Sequence, residues 1–229
     1  MKIAVLNFSG NVGKTTIAKN LLLPRLKDTH FVAIESINHG NQDDIKIKSK
    51  DFSILQDELL INDNIIVDIG ASNIEETMKL MEQYKGSHED FDYFLLPTVA
   101  DHKQQLDTLS TAIKLIEIGV KPNKIRFVLN IVNDSERLQS DFERILDFAK
   151  KTKIKEPKVG IESSEVYPKL TAMEKTIDEI LAIQDLREKL KSITNADEKR
   201  QIASLIGIQR LAMTAKENLD EVFSDLSLK

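Results

Sequence analysis

Short apolar runs recur along the first part of the chain: Ile3–Leu6, Phe31–Ile34, Ile65–Ile69, Tyr93–Leu96 and Ile125–Ile131. Each is almost uninterrupted, which suits strands covered on both faces, as in a parallel sheet. Pro157–Ile161 is a candidate for a sixth, shorter strand. Between these runs lie longer stretches in which apolar residues return at helical spacing: Thr15–Leu26, Asp51–Leu60, Ile74–Tyr84, His102–Ile118 and Glu136–Lys150. The alternation predicts an α/β fold, a doubly wound and mostly parallel sheet whose ligands bind beyond the carboxyl ends of the strands. After Tyr167 the strand signals stop. Lys169–Ser192 and Ala196–Phe223 read as helices, separated by Ser192-Ile-Thr-Asn, which can cap the second. No repeat or low-complexity linker sets this tail apart. The expected organisation is a core over residues 1–170, with helices over 171–229 packed on it or extending from it.

Composition narrows the chemistry. At 229 residues the chain can bury a sizeable core. Its 32 basic and 37 acidic residues give a net charge of −5, so any nucleic-acid contact has to be a local basic patch. Trp is absent and aromatics make up 5%, which leaves little for base stacking. Without cysteine there is no disulfide, thiol nucleophile or cysteine–metal site. The histidines, His30, His39, His88 and His102, show no zinc-binding spacing. The apolar run at Met1–Asn7 is short for a secretion signal, and no stretch approaches the ~18 apolar residues of a membrane span. A cytoplasmic protein is expected.

The stretch LNFSGNVGKTTIAKNLL, beginning at Leu6, carries the strongest chemical signal. A strand, then small residues, then Gly13-Lys14-Thr15-Thr16 opening a helix, is the setting a phosphate loop requires. Backbone N–H groups around Asn11–Lys14 are placed to face phosphate oxygens, aided by the positive end of the helix. Lys14 would neutralise the β- and γ-phosphates, and the Thr15 hydroxyl would coordinate Mg²⁺. Phe8 stands where the commonest form of the motif, G-x-x-x-x-G-K-[ST], has glycine.

NFSGNVGKTT resembles the variant phosphate loop of ParA/MinD-type ATPases, which typically reads NQKGGVGKTT. Gly10, Val12, Gly13, Lys14, Thr15 and Thr16 match it, and Asn11 replaces a glycine at a position where left-handed backbone is tolerable for Asn. The family's signature lysine falls on Ser9, which brings no positive charge and argues against fast, dimer-activated hydrolysis. The resemblance implies ATP and Mg²⁺ as cofactors and a nucleotide-linked homodimer. Together with AIESIN, the loop is most similar to the plasmid-stability StbB and conjugal-transfer TraL-like branch. That branch implies a plasmid-encoded DNA-binding partner protein.

Other segments extend the resemblance along residues 1–170. NIIVDIGASN is an apolar strand ending in Asp68, which fits a second Mg²⁺-site aspartate, with Gly70 placed to sense a γ-phosphate. IESINHGN matches the family's first switch at Glu35, Gly40 and Asn41, but Ile37 occupies the position of its water-orienting aspartate. Asp43 and Asp44 lie nearby, and Glu35 reads equally as a solvated strand end. RFVLNIVND places Asn130 where the family contacts adenine, with a turn-forming Asn as the competing reading, and Gly160–Ser163 begin the loop that flanks the purine. No N-K-x-D guanine motif is present, so ATP is favoured over GTP.

Two surface features admit plain readings. Lys150, Lys151, Lys153, Lys155 and Lys158 could touch DNA or simply complement a helix end. The stripe Ile202, Leu205, Ile206, Ile208, Leu211 and Met213 suits core packing or a partner better than membrane, because its helix ends acidic. The expected function is an ATP-binding, Mg²⁺-dependent switch, a weak ATPase stimulated by partners, in plasmid stability, DNA segregation or conjugal transfer. The alternatives are a nucleotide-binding interaction module without hydrolysis and a dethiobiotin-synthetase-like ligase, for which no second small-molecule motif is evident.

Overall fold

The computed structural model describes residues 1–34, 45–47 and 51–229, with only the backbone at 45 and 46. Among them six strands form one parallel sheet: β1 (Lys2–Val5), β2 (His30–Ile34), β3 (Ile45–Ile47), β4 (Ile65–Ile69), β5 (Tyr93–Thr98) and β6 (Ile125–Leu129). Their order is β3-β2-β4-β1-β5-β6, which sets β1 between β4 and β5. The phosphate-loop segment therefore leaves the middle of the sheet at its carboxyl edge. Val5 of β1 lies in register with Asp68 of β4, so the loop and the aspartate sit one strand apart.

Side-chain alternation divides the strands between two cores. Ala4, Leu6, Val67, Ile69, Phe94 and Leu96 face one side, under α2 (Phe52–Ile61), α3 (Ile74–Gln83), α4 (His102–Ile118), α5 (Leu138–Asp141) and α6 (Glu143–Thr152). Ile3, Val5, Ile66, Leu95 and Val128 face the other. There they meet the helix after the loop, together with α7 (Val166–Met173), α8 (Ile177–Leu181) and α10 (Ala196–Leu226). A period of two along a parallel strand demands apolar cover on both sides; the middle of the chain supplies one cover, and the helix after the loop with the C-terminal helices supplies the other.

Several sequence expectations need correction. The helix expected over Thr15–Leu26 begins as α1 (Lys14–Thr16), widens into a π-helical stretch at Ile17–Leu22 and closes in a 3₁₀ turn at Leu23–Arg25. Pro24, which lacks an N–H, falls in that closing turn. The sixth strand is β3, not Pro157–Ile161. The latter lies beside the end of β6, where the Ile161 N–H donates to Leu129 O (2.8 Å) and the Val132 N–H to Ile161 O (2.9 Å). Proline cannot extend such a ladder. The helix expected over Glu136–Lys150 is interrupted at Phe142, whose ring is buried in the first core.

The tail differs most. In place of one helix over Lys169–Ser192 there are three: α7, α8 and α9 (Leu186–Ser192). Left-handed residues at Glu174 (φ 51°) and Asp185 (φ 60°) break the chain between them. Thr176 and Glu179 form a capping box that starts α8. Asn195 caps α10 as expected, accepting from the N–H groups of Asp197 and Glu198. The buried stripe of α10 is Ile208, Ala212, Ala215, Leu219, Val222 and Leu226. Leu211 and Met213, assigned to an apolar face above, are 36% and 58% exposed.

The carboxyl end of α10 is clasped to the sheet. The Arg126 Nε donates to Leu226 O at 2.8 Å, Lys155 pairs with Asp225 at 3.0 Å, and Arg25 pairs with Asp220 at 2.5 Å. Lys155, one of the clustered lysines, is thus committed within the chain. Among the described residues no helix is long and apolar enough to cross a membrane.

Candidate functional site

Leaving β1, the chain turns through Asn7–Gly13 before α1 begins. Asn11 (φ 57°) and Gly13 (φ 85°) are both left-handed, with buried Val12 between them. Alternation of this sort makes a concave nest of N–H groups suited to an anion. Gly13 is fixed twice over. Its φ is costly for any other residue, and a Cβ there would lie 2.3 Å from the Asn130 Nδ2.

The Lys14 side chain curls back under the turn. Its ammonium donates to Ser9 O at 2.7 Å and to Asn7 O at 3.3 Å, and the residue is only 9% exposed. Burial pushes its pKa below the ordinary lysine value of 10.5, while the Asp68 carboxylate works against that fall. The Thr15 hydroxyl donates to the Asp68 Oδ2 at 2.6 Å. Strand alternation explains this meeting. Ile66 faces the second core, so Asp68, two residues on, points to the same side, where α1 lies. A hydroxyl and one carboxylate, both hard oxygen donors, suit Mg²⁺, which takes one or two protein ligands and completes its shell with phosphate and water. The residues present fit that ion. Among the described residues no group of three or more His or acidic side chains could hold a metal unaided.

The remaining expected residues fall in different places. Gly10 is exposed with open space around it, and Thr16 follows in the first turn of α1. The Gly70 N–H, expected to sense phosphate, donates to Ile34 O at 3.0 Å, so sensing would require that bond to exchange. Asn130 is turned into the protein: its Nδ2 donates to Val12 O at 2.9 Å, and it is 6% exposed. This amide braces the loop backbone. Glu35, with Ile37, His39, Gly40, Asn41, Asp43 and Asp44, lies outside the described residues.

Two features escaped sequence reasoning. A cleft of ≈ 290 Å³ opens beside Thr15 and Thr16, walled by Lys19 and Asn20 on one side and by Tyr167, Leu170 and Thr171 on the other. Among the described residues the Tyr167 phenol has no hydrogen-bond partner, and burial raises its pKa to about 12. Only tertiary structure brings α1 and α7 together, so no local pattern announced the cleft. The second feature is a set of polar side chains under residues 7–9. Asn7, fully buried, donates from Nδ2 to Pro97 O (2.7 Å) and to the Thr108 hydroxyl (2.6 Å), and accepts the Ser9 N–H (2.8 Å). The Phe8 N–H donates to the Thr111 hydroxyl at 3.1 Å. Threonines three apart on the inner face of an otherwise amphipathic helix were the available signal.

No protein-family model matches the chain, and no curated protein matches it in sequence. Solved structures do match in fold. The chain is similar to MinD, a cell division protein of Aquifex aeolicus, with a TM-score of 0.54, 13% identity and 96% of each chain covered. It is similar to McdA of Cyanothece, solved in complex with ATP, with a TM-score of 0.50, 16% identity and 96% of each chain covered. A plasmid partition protein of Borrelia burgdorferi bound to AMPPNP gives 0.50 and 12%, covering 90% of this chain and 96% of the other. At these identities the likeness is one of fold: the chain shares with these proteins a parallel α/β sheet flanked by helices, including those of its C-terminal part.

Proposed function

We propose that the chain binds ATP with Mg²⁺ at the loop Gly10–Thr16 and works as a nucleotide switch of the ParA/MinD kind. The observation that carries this reading is the buried Lys14 ammonium, curled under a left-handed turn and set beside the Thr15–Asp68 pair. Loop N–H groups and Lys14 hold the phosphates. Thr15 and Asp68 hold the ion, which screens phosphate charge when bound. The nucleoside end runs past Thr16 into the cleft between α1 and α7, whose volume suits a ligand of that size. A γ-phosphate would compete with Ile34 O for the Gly70 N–H and so reach the end of β2. Support for ATP over other nucleotides comes from the similar McdA and partition structures, solved with ATP and AMPPNP.

The finer role we infer is plasmid stability, DNA segregation or conjugal transfer, exerted through a nucleotide-linked homodimer and a DNA-binding partner protein. It rests on the sequence resemblance, and on similar structures that include a MinC:MinD complex and a plasmid partition protein. Ser9, buried and uncharged at the family's lysine position, favours slow turnover, and by the same token a binding module that hydrolyses little. ATP turnover measured with and without DNA tests both. The expected result is slow turnover that disappears in Lys14→Ala. Turnover undiminished by that change defeats the site assignment, and tight ATP binding with no turnover under any condition selects the module.

A further inference from the structure

Lys14 is held by the carbonyls of Asn7 and Ser9, in the first part of the loop, and that stretch is anchored from outside. Asn7 bridges Pro97 O at the end of β5 and the Thr108 hydroxyl of α4, while its own Oδ1 accepts the Ser9 N–H and folds the backbone back. Thr111, one turn further along α4, accepts the Phe8 N–H. Each threonine donates its own proton to the carbonyl four residues earlier, Thr108 to Gln104 O (2.6 Å) and Thr111 to Asp107 O (2.7 Å). Both hydroxyl oxygens are thereby left facing the loop as acceptors, and neither can rotate away without losing a bond. The turn so fixed aims Asn7 O and Ser9 O at the Lys14 ammonium.

We propose that Asn7, Thr108 and Thr111 are positioning residues of the phosphate site, through which α4 presets Lys14 for the β- and γ-phosphates before any ligand arrives. The proposal rests on the nucleotide-binding reading. A buried ammonium without these carbonyls would be poorly solvated and free to leave the nest, so binding would have to fix it again. The geometry also makes α4 the element whose displacement would be felt first at Lys14. Two of the three tethers come from it, and among the described residues the Lys14 ammonium donates its hydrogen bonds to the turn they hold.

The test is equilibrium binding of Mg·ATP and of inorganic pyrophosphate to the full chain, for wild type, Thr108→Val/Thr111→Val and Thr108→Ser/Thr111→Ser. Valine keeps the shape and removes both acceptors, while serine restores them. At temperatures well below unfolding, the valine variant should bind both ligands about tenfold more weakly, the size expected for losing two ordinary hydrogen bonds. The serine variant should return to within about twofold of wild type on the same scale. Equal affinity of the valine variant and wild type overturns the proposal while leaving the nucleotide reading intact. A loss that serine does not restore also overturns it, because packing and not the hydroxyls would be the cause. If wild type binds neither ligand, the nucleotide reading fails first, and with it any positioning role.

Discussion

The two halves of the loop between β1 and α1 are fixed by different means. Residues 11–14 take their shape from their own backbone, with left-handed Asn11 and Gly13 and one side chain, Asn130, bracing Val12 O. Residues 7–9 have one local bond, from the Ser9 N–H to the Asn7 Oδ1, and are otherwise held from outside. Their shape is imposed by Pro97 of β5 and by Thr108 and Thr111 of α4, about a hundred positions away in the chain. A loop of the first kind announces itself in the sequence. A loop of the second kind is a product of the fold, and it is the second kind that supplies the carbonyls for Lys14.

The largest effect should follow from attacking the locally coded half. Gly13→Ala forces a left-handed alanine and drives its methyl into Asn130, so stability should fall by about 2–3 kcal/mol. In a chain of this size that lowers the melting midpoint by roughly 4–12 °C, read by calorimetry. Next comes Asn130→Ala, which leaves Val12 O unbonded and should cost about 1–2 kcal/mol. The double variant sharpens the comparison. With Asn130 gone the added methyl meets no amide, so the two losses should sum to more than the double loses. Strict additivity would mean that the added methyl and the Asn130 amide do not collide, and an Asn130→Ala variant as stable as wild type would mean that Asn130 does not brace the loop.

The smallest effect is in pH. Because burial holds the Lys14 pKa below 10.5, nucleotide affinity should fall as pH rises through that lowered value, earlier than an exposed lysine would allow. In the nucleotide-free protein the sign reverses. The unfolded chain binds the proton more tightly, so charging Lys14 costs stability below its folded pKa, and the cost is relieved as pH climbs towards 10.5. Opposite slopes for affinity and stability in alkaline titrations check both statements. Affinity level up to pH 10.5 would contradict the first.

Legibility in the sequence follows the same division. The strands β1, β2, β4, β5 and β6 were readable because doubly covered strands are apolar throughout, and α4 because its periodicity is long. Three-residue β3 was not, since a run that short carries no period. Within the tail, Thr176–Glu179 already spelled a capping box, but the left-handed break at Glu174 uses a residue with no turn signature, and a lone Asp185 is a weak one. In the candidate site, the places of Gly13, Lys14, Thr15 and Asp68 were legible because each stands at a strand or helix end. The position of Asn130 past β6 was legible, but its bond to Val12 O was not, because it depends on how the loop folds back on β6. Thr108 and Thr111 could be read only as helix residues until the fold set them under the turn.

The central claim is that the nest at Asn11–Lys14 and the Thr15–Asp68 pair together hold a magnesium nucleotide. Isothermal titration of the full chain with ATP, in the presence and absence of Mg²⁺, tests it most directly. The account predicts saturable heat with one nucleotide per chain, stronger with Mg²⁺ and abolished in Lys14→Ala. No heat with any adenine nucleotide in the presence of Mg²⁺ would contradict it and leave the shared fold without the shared chemistry.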